Sequence, residues 1–450
     1  MSLSSERTTE IDRVLDRWMI DEGVPGASVA VLTGDEIGYT AGYGSRDLAS
    51  NAPATPDTLY GIGSVTKSFT ALSALQLVER DELSLDEPIG TYLDREGLPE
   101  ATVHDLLTHS SGMPSLAVSE ALLSRQAGME EAGVPLGDRE DFYRHLRGAR
   151  EEWAGTPEGR FMYSNSGYML VADAVSEIDG RPFAQVVEEE ILSPLGMERS
   201  TFSEERFEAD PDTMTPYELT DEGVEERSLP IRELSQGPGG LLSSVVELAS
   251  YLRLQLGGGA VDGERIVSAA LLARAHEGHT ETPVGPYGYG WRTREVAGER
   301  VIGHGGSIGV ATAYLGFLPD REMGVAVLCN TGPGYSTYAL AQEVVAAALG
   351  EDPDEVAERV RRRRMDRLCG EYETYRGIKR ARVERQGEGL VLTFEDAFGG
   401  APLPLVPEDE RLAGYRFTTP AASGVPQSVL FEVSGEEVDC YVDRWRLHRQ

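Results

Sequence analysis

The sequence predicts two domains of different class. Residues 1–350 read as a mixed α/β (α+β) domain, residues 368–450 as a small all-β domain, barrel-like or a sandwich, and residues 351–367 as the linker between them. Three observations lead there. A hairpin pattern at 27–32 and 37–43 and further alternating runs at 300–330 are separated by a long stretch of helical and loop character. From Leu368 onward the pattern becomes short alternating runs broken by Gly and Pro, at 389–394, 427–433 and 437–445. The charge divides in the same way: the fifteen acidic and fifteen basic residues from Arg361 to Gln450 cancel, so the whole net charge of −35 belongs to residues 1–360.

Taken in chain order, residues 8–19 read as an amphipathic helix capped at Thr8, apolar at Ile11, Val14, Leu15, Trp18 and Met19. The hairpin follows. Ser64-Val-Thr-Lys67 then opens a helix whose apolar positions Phe69, Leu72, Leu75, Leu77 and Val78 have the spacing of a buried amphipathic face. Residues 300–303 and 310–317 read as two strands, Pro319-Asp-Arg-Glu322 as a turn, and 323–330 as another strand. A helix at 338–349 closes the domain, and the charged stretch through Arg361-Arg-Arg-Arg364 reads as a solvated linker or helix.

Ser64 and Lys67 stand one helical turn apart, on one face. A serine at a helix N-terminus meets unpaired N–H groups and the positive end of the dipole, which stabilise an alkoxide or oxyanion, and burial that lowers an amine's pKa makes it a proton acceptor. The same spacing also occurs as a helix cap followed by a solvated lysine. Lys67, however, is one of only two lysines in the chain, Lys379 being the other. Arginine cannot be deprotonated in a protein, so a site that needs a neutral amine cannot use it, whereas a surface position can.

Two further elements follow in order: Phe161-Met-Tyr163-Ser-Asn165-Ser-Gly-Tyr168 and Gly303-His304-Gly305-Gly306-Ser307. With the Ser64 motif they resemble the serine β-lactamase and penicillin-binding-protein superfamily, and within it the class C β-lactamase-related hydrolases, a group of esterases, D-amino-acid peptidases and lactamases. Leu106-Leu-Thr-His-Ser-Ser-Gly-Met113, Gly237-Pro-Gly-Gly-Leu-Leu-Ser-Ser244, Tyr287-Gly-Tyr-Gly-Trp291 and Thr312-Ala-Tyr-Leu-Gly-Phe-Leu-Pro-Asp320 fit the same likeness, which covers residues 10–345. It implies one antiparallel sheet joining the early and late strands, flanked by helices, with an all-helical region inserted and the site in the cleft between. It also implies that Ser64 is acylated, that Lys67 is its amine partner, and that Tyr163 shares a proton with Lys67 and the leaving group. Asn165 would orient the lysine and a substrate carbonyl, and relatives with a C-terminal extension look lipocalin-like. The physics is compatible, since a phenolate held by a cation titrates as a coupled pair with it.

The third element departs from the lactamase pattern, which has Lys-Thr-Gly where this chain has His304-Gly305-Gly306. A lysine attracts a carboxylate permanently, but a histidine near pKa 6.5 is mostly neutral at pH 7. The substitution tilts the expectation from a β-lactamase or D,D-peptidase toward a hydrolase of small esters or peptides. The glycines would let the backbone approach substrate closely, with the Ser64 and Ser307 amides as an oxyanion hole worth on the order of 3 kcal/mol per donor. A non-catalytic ligand-binding protein is the reading of another class.

Other chemistry is weaker. Gly305-Gly-Ser307-Ile-Gly309 matches the nucleophile elbow of α/β-hydrolases, but a strand rather than a helix is expected after it, and only His448 lies downstream as a triad histidine. His104 and His109 do not share a helix face, and His276 and His279 lack a third ligand, so no metal and no cofactor is expected. The three cysteines are far apart and odd in number, which suits a reducing compartment. A net charge of −35 with lysine nearly absent is the balance of a protein working in concentrated salt, a halophilic reading, although an acidic protein from a GC-rich genome would share it. It argues against nucleic acid and anionic membrane surfaces as partners. No apolar run reaches a membrane span and no signal peptide is read, so a cytoplasmic location is expected. Three roles fit the appended β-domain: covering the cleft, selecting substrates, and assembling a homo-oligomer.

Overall fold

The computed structural model describes residues 3–113, 115, 138–154, 160–230, 233–395, 401–420 and 424–450. The chain divides into two compact units, Met1–Leu349 and Gly350–Gln450.

In the first unit a helix, α1 (Ser5–Glu22), precedes the hairpin of β1 (Gly26–Thr33) and β2 (Glu36–Asp47). The helix starts one turn earlier than its periodicity suggests, because Ser4 rather than Thr8 is the cap: its side chain accepts from the Arg7 amide. β1 pairs antiparallel with the strand Met323–Cys329, which joins the first and last thirds of the unit. The complete sheet has seven strands in the order Arg292–Val296, Glu299–Ser307, Thr312–Leu318, Met323–Cys329, β1, β2 and Ala52–Pro53.

Strand alternation divides the core. Val29, Val31, Val325 and Val327 face α1 and the helix Thr337–Leu349, meeting Ile11, Val14, Leu15, Trp18, Leu340 and Val344. Ala30, Leu32, Ala326 and Leu328 face the opposite layer, with Phe69, Leu72, Leu75, Leu248 and Leu252. With both faces covered, these central strands read as continuous apolar runs. The helix that opens after Ser64, α2 (Thr66–Glu79), is buried on every side from Thr66 to Leu77, and not on one face alone as its spacing suggested. It packs in the helical layer against the helix Asn165–Asp179. Its small polar residues satisfy themselves locally: Ser68 Oγ donates to Val65 O and Ser73 Oγ to Phe69 O.

The second unit contains a closed eight-stranded antiparallel barrel in sequential order from Gly370–Glu373 to Trp445–Arg449, the last strand pairing with the first through Tyr372 and Arg449. The run at 437–445 is two strands, Glu437–Val442 and Trp445–Arg449, because Asp443 turns the chain with φ 55°. Residues 351–367, expected to link the domains, hold a helix, Ala357–Asp366, inside this unit. Met365 and Leu368 join Tyr372, Phe417 and Phe431 in the barrel core, so apolar burial makes the stretch part of the barrel unit and not a free linker.

Candidate active site

Ser64 lies in a single 3-10 turn, Gly63–Val65, that runs straight into α2 and is closed by the Val65 amide donating to Ile62 O and the Thr66 amide to Gly63 O. Lys67 follows one turn later and is fully buried. Its Nζ stands 3.0 Å from Ser64 Oγ, 2.7 Å from Asn165 Oδ1 and 2.8 Å from the Pro238 carbonyl. All three are neutral oxygens. Asn165 opens the helix Asn165–Asp179, whose cap Ser164 accepts from the Gly167 amide at 3.2 Å. Tyr163 immediately precedes that cap, with Lys67 Nζ 4.8 Å from its ring centre.

The strand Glu299–Ser307 carries the third motif past the Ser64 turn. A Cβ on Gly306 would fall 1.9 Å from Ile62 O and 3.1 Å from the Ser64 amide, and one on Gly63, at φ +50°, would fall 2.6 Å from the Ser307 amide. Glycine at both positions is therefore what lets strand and turn touch, with the Ser64 and Ser307 amides on the two sides of the contact.

His304 is 8% exposed, its ring 6.3 Å from that of Tyr163. Its Nδ1 lies 2.6 Å from Gly305 O and its Nε2 2.9 Å from Tyr287 Oη. Burial first, and the positive charge of Lys67 second, push its pKa down to about 3. The third motif thus presents a neutral ring whose two nitrogens are already engaged. Arg292, from the neighbouring edge strand, lies over the rings of Phe161 and Tyr287 at 5.5 and 5.4 Å and donates to Thr282 Oγ1 at 2.9 Å.

All eight residues singled out from the sequence, Ser64, Lys67, Tyr163, Asn165, His304, Gly305, Gly306 and Ser307, stand on these three apposed segments. Sequence reasoning did not find the Pro238 carbonyl, Tyr287 or His109. Each belongs to a segment that shared the resemblance without a role: Gly237-Pro-Gly-Gly, Tyr287-Gly-Tyr-Gly-Trp291 and Leu106-Leu-Thr-His109. The elbow reading fails in context, since the strand ending at Ser307 is followed by the strand Thr312–Leu318. His104 bonds Tyr289 Oη at 2.8 Å and His276 bonds Gln255 Oε1 at 2.8 Å. Among the described residues no group of three or more His, Cys, Asp or Glu is placed to hold a metal ion.

With this geometry in view, the relatives are informative. Residues 353–448 match the Pab87 octamerisation domain. The octameric penicillin-binding protein homologue from Pyrococcus abyssi superposes with a TM-score of 0.89 at 33% identity, over 98% of this chain and 100% of that one. Protein flp of Staphylococcus aureus (strain MW2) is 25% identical over 344 residues, which are 74% of this chain and 65% of that protein. The D-aminopeptidase of Brucella ovis is 28% identical over 385 residues, 84% of this chain and 67% of that protein. The chain thus spans about two thirds of the length of these curated relatives. Residues 11–350, the span that holds the Ser64 turn, the Tyr163 segment and the His304 strand, match the Beta-lactamase family model, and the chain belongs to the β-lactamase family.

Proposed function

We propose that this chain is a serine hydrolase that forms an acyl-enzyme on Ser64 and cleaves small peptide, amide or ester substrates, those with a D-amino acid next to the scissile bond foremost. The observation that carries it is the buried Lys67 Nζ, 3.0 Å from Ser64 Oγ at the start of α2. In the first step the Ser64 hydroxyl gives its proton to Lys67 Nζ while Oγ attacks the substrate carbonyl carbon. The carbonyl oxygen becomes an oxyanion facing the Ser64 and Ser307 amides. Collapse breaks the scissile C–N or C–O bond, and the leaving group takes a proton from Tyr163, which Lys67 resupplies. Water then attacks the acyl carbon, its proton goes to the Lys67–Tyr163 pair, and Oγ recovers a proton as the acid leaves. Asn165 holds the amine in place through its Oδ1.

The substrate class rests on the likeness to the Brucella D-aminopeptidase and on the neutral ring of His304, which offers no fixed charge to a carboxylate at that position. The test is kcat/KM for D-alanine p-nitroanilide, its L-isomer, p-nitrophenyl acetate and nitrocefin, side by side in low and high salt. The D-anilide is expected to exceed the L-isomer by at least about tenfold. Efficient nitrocefin turnover would return the reading to a β-lactamase, and no turnover of any of the four would favour a ligand-binding protein.

Assembly belongs to the same proposal. The barrel unit, matched by an octamerisation domain, carries Tyr375 and Ile378, 77% and 76% exposed, on the turn between its first two strands. Residues 361–450 have no net charge, so copies meeting there avoid the repulsion of the acidic first unit. We further propose a cytoplasmic location and work in concentrated salt, supported by the three free cysteines and by the charge of −35.

A further inference from the structure

Two buried groups beside the candidate site have no part in the chemistry above: His109 and Tyr287, both 0% exposed. They stand in a chain of hydrogen bonds whose ends are backbone groups. At one end the Ser164 amide donates to His109 Nδ1 at 3.0 Å, so the His109 proton sits on Nε2. That Nε2 lies 3.2 Å from Tyr287 Oη. Tyr287 Oη in turn lies 2.9 Å from His304 Nε2. At the other end His304 Nδ1 is 2.6 Å from Gly305 O, which can only accept, so the His304 proton sits on Nδ1. One direction of donation satisfies every link: Ser164 N–H to His109, His109 Nε2–H to Tyr287, Tyr287 O–H to His304, and His304 Nδ1–H to Gly305.

The chain also grips the segment that carries Tyr163. His109 adopts a left-handed backbone, φ 58°, unusual for a residue with a Cβ. In that conformation its carbonyl accepts from the Met162 amide at 2.8 Å while its ring accepts from the Ser164 amide, one on each side of Tyr163. Its ring also lies against that of Tyr163, centres 4.3 Å apart.

We propose that His109 and Tyr287 are positioning residues, which hold Tyr163 and His304 in fixed relation and keep His304 in a single uncharged tautomer. The inference rests on the reading of Tyr163 and His304 as active-site groups. Protonating His304 on Nε2 would leave Tyr287 Oη facing two N–H donors with one hydrogen of its own, and protonating His109 on Nδ1 would set two N–H groups against each other. The groups that face these rings add to the effect. Burial disfavours an imidazolium first; Arg292 from the edge strand presses on both rings and Arg294 on His304 with positive charge, and Lys67 from α2 adds to it whenever it holds a proton. Tyr163, Tyr168 and Tyr287 supply the remaining titratable neighbours.

The test is Tyr287→Phe in the full-length protein, which keeps the ring and deletes the one hydroxyl that joins the two histidines. Its kcat is expected to fall by about ten- to a hundredfold, with KM within about threefold. In the same variant His304 Nε2 loses its donor, so its ¹⁵N signal is expected to become that of an unbonded imine nitrogen, a change that loss of packing elsewhere would not give. Solid-state ¹⁵N spectra of histidine-labelled wild-type protein supply a measurement free of activity: His109 protonated on Nε2, His304 on Nδ1, neither titrating from pH 5 to 9, assigned by His109→Asn and His304→Gln difference spectra. The opposite tautomer at either ring, a titration near pH 6.5, or a His304 Nε2 signal unchanged in Tyr287→Phe would overturn the proposal. Should wild-type Ser64 resist acylation, the functional reading fails while the tautomers still decide this one.

Discussion

At the scale of single residues the site is an exercise in keeping buried nitrogen groups satisfied by neutral oxygens. Asn165 Oδ1 and Pro238 O can only accept from Lys67, whereas Ser64 Oγ can also donate, which is the arrangement a proton-accepting amine requires. His304 shows the same logic with a consequence for stability. Its folded-state pKa, about 3, lies below the unfolded value near 6.5, so the folded protein binds fewer protons between those limits. Stability from this ring is complete above pH 6.5 and is lost as pH falls toward 3. Between pH 7 and pH 5 the loss amounts to about 2 kcal/mol for one such histidine. Denaturant unfolding at the two pH values is therefore expected to show His304→Gln losing about 2 kcal/mol less than the wild type. An unchanged pH slope would mean that the ring titrates normally in the folded protein.

At the scale of elements, what matters is the contact between the Ser64 turn and the strand Glu299–Ser307. Gly306→Ala would place a methyl group 1.9 Å from Ile62 O, and the strand must move away from the turn. The expected result is a fall in kcat on the order of a hundredfold with a stability loss of about 1–3 kcal/mol. Retention of the wild-type rate would show that the Ser64 and Ser307 amides need not stand this close. How far the sequence reveals the elements follows from how local their causes are. The strand at 389–394 is read to the residue, because its alternation and its flanking glycine are contained within it. Ser64 and Lys67 are legible for the same reason, lying within one helical turn. The cap of α1 is misread because Ser4 and Thr8 offer the same local chemistry, and only the structure shows which hydroxyl meets an unpaired amide. Pro238 escapes because the group that contacts Lys67 is a backbone carbonyl, which carries no side-chain signature. The His109–Tyr287–His304 chain escapes because its members are brought together from three distant segments by tertiary packing alone. The stretch at 351–367 looks like a linker since its charges dominate, and the burial of Met365 in the barrel core leaves no periodic trace that a short helix could show.

At the scale of the whole molecule, charge and assembly are connected. The acidic first unit repels its copies, whereas residues 361–450 of the barrel unit carry no net charge and expose Tyr375 and Ile378 on a turn where copies can meet. If Tyr375 and Ile378 lie in that contact, Tyr375→Asp combined with Ile378→Asp should reduce the particle mass in sedimentation or light scattering to that of one or two chains, with secondary structure unchanged. A particle of wild-type mass would place the contact elsewhere on the barrel unit or on the catalytic one.

The central claim, that Ser64 is acylated with Lys67 as its amine partner, is tested most directly by the site and rate of covalent labelling. A fluorophosphonate probe followed by peptide mass spectrometry is expected to add one label per chain, on the Ser64 peptide, and none in Ser64→Ala. Lys67→Arg is expected to slow labelling on the order of 10³-fold, since a guanidinium keeps the charge but cannot accept the proton. Labelling at Ser307 instead of Ser64, or labelling of Lys67→Arg at the wild-type rate, would contradict the account.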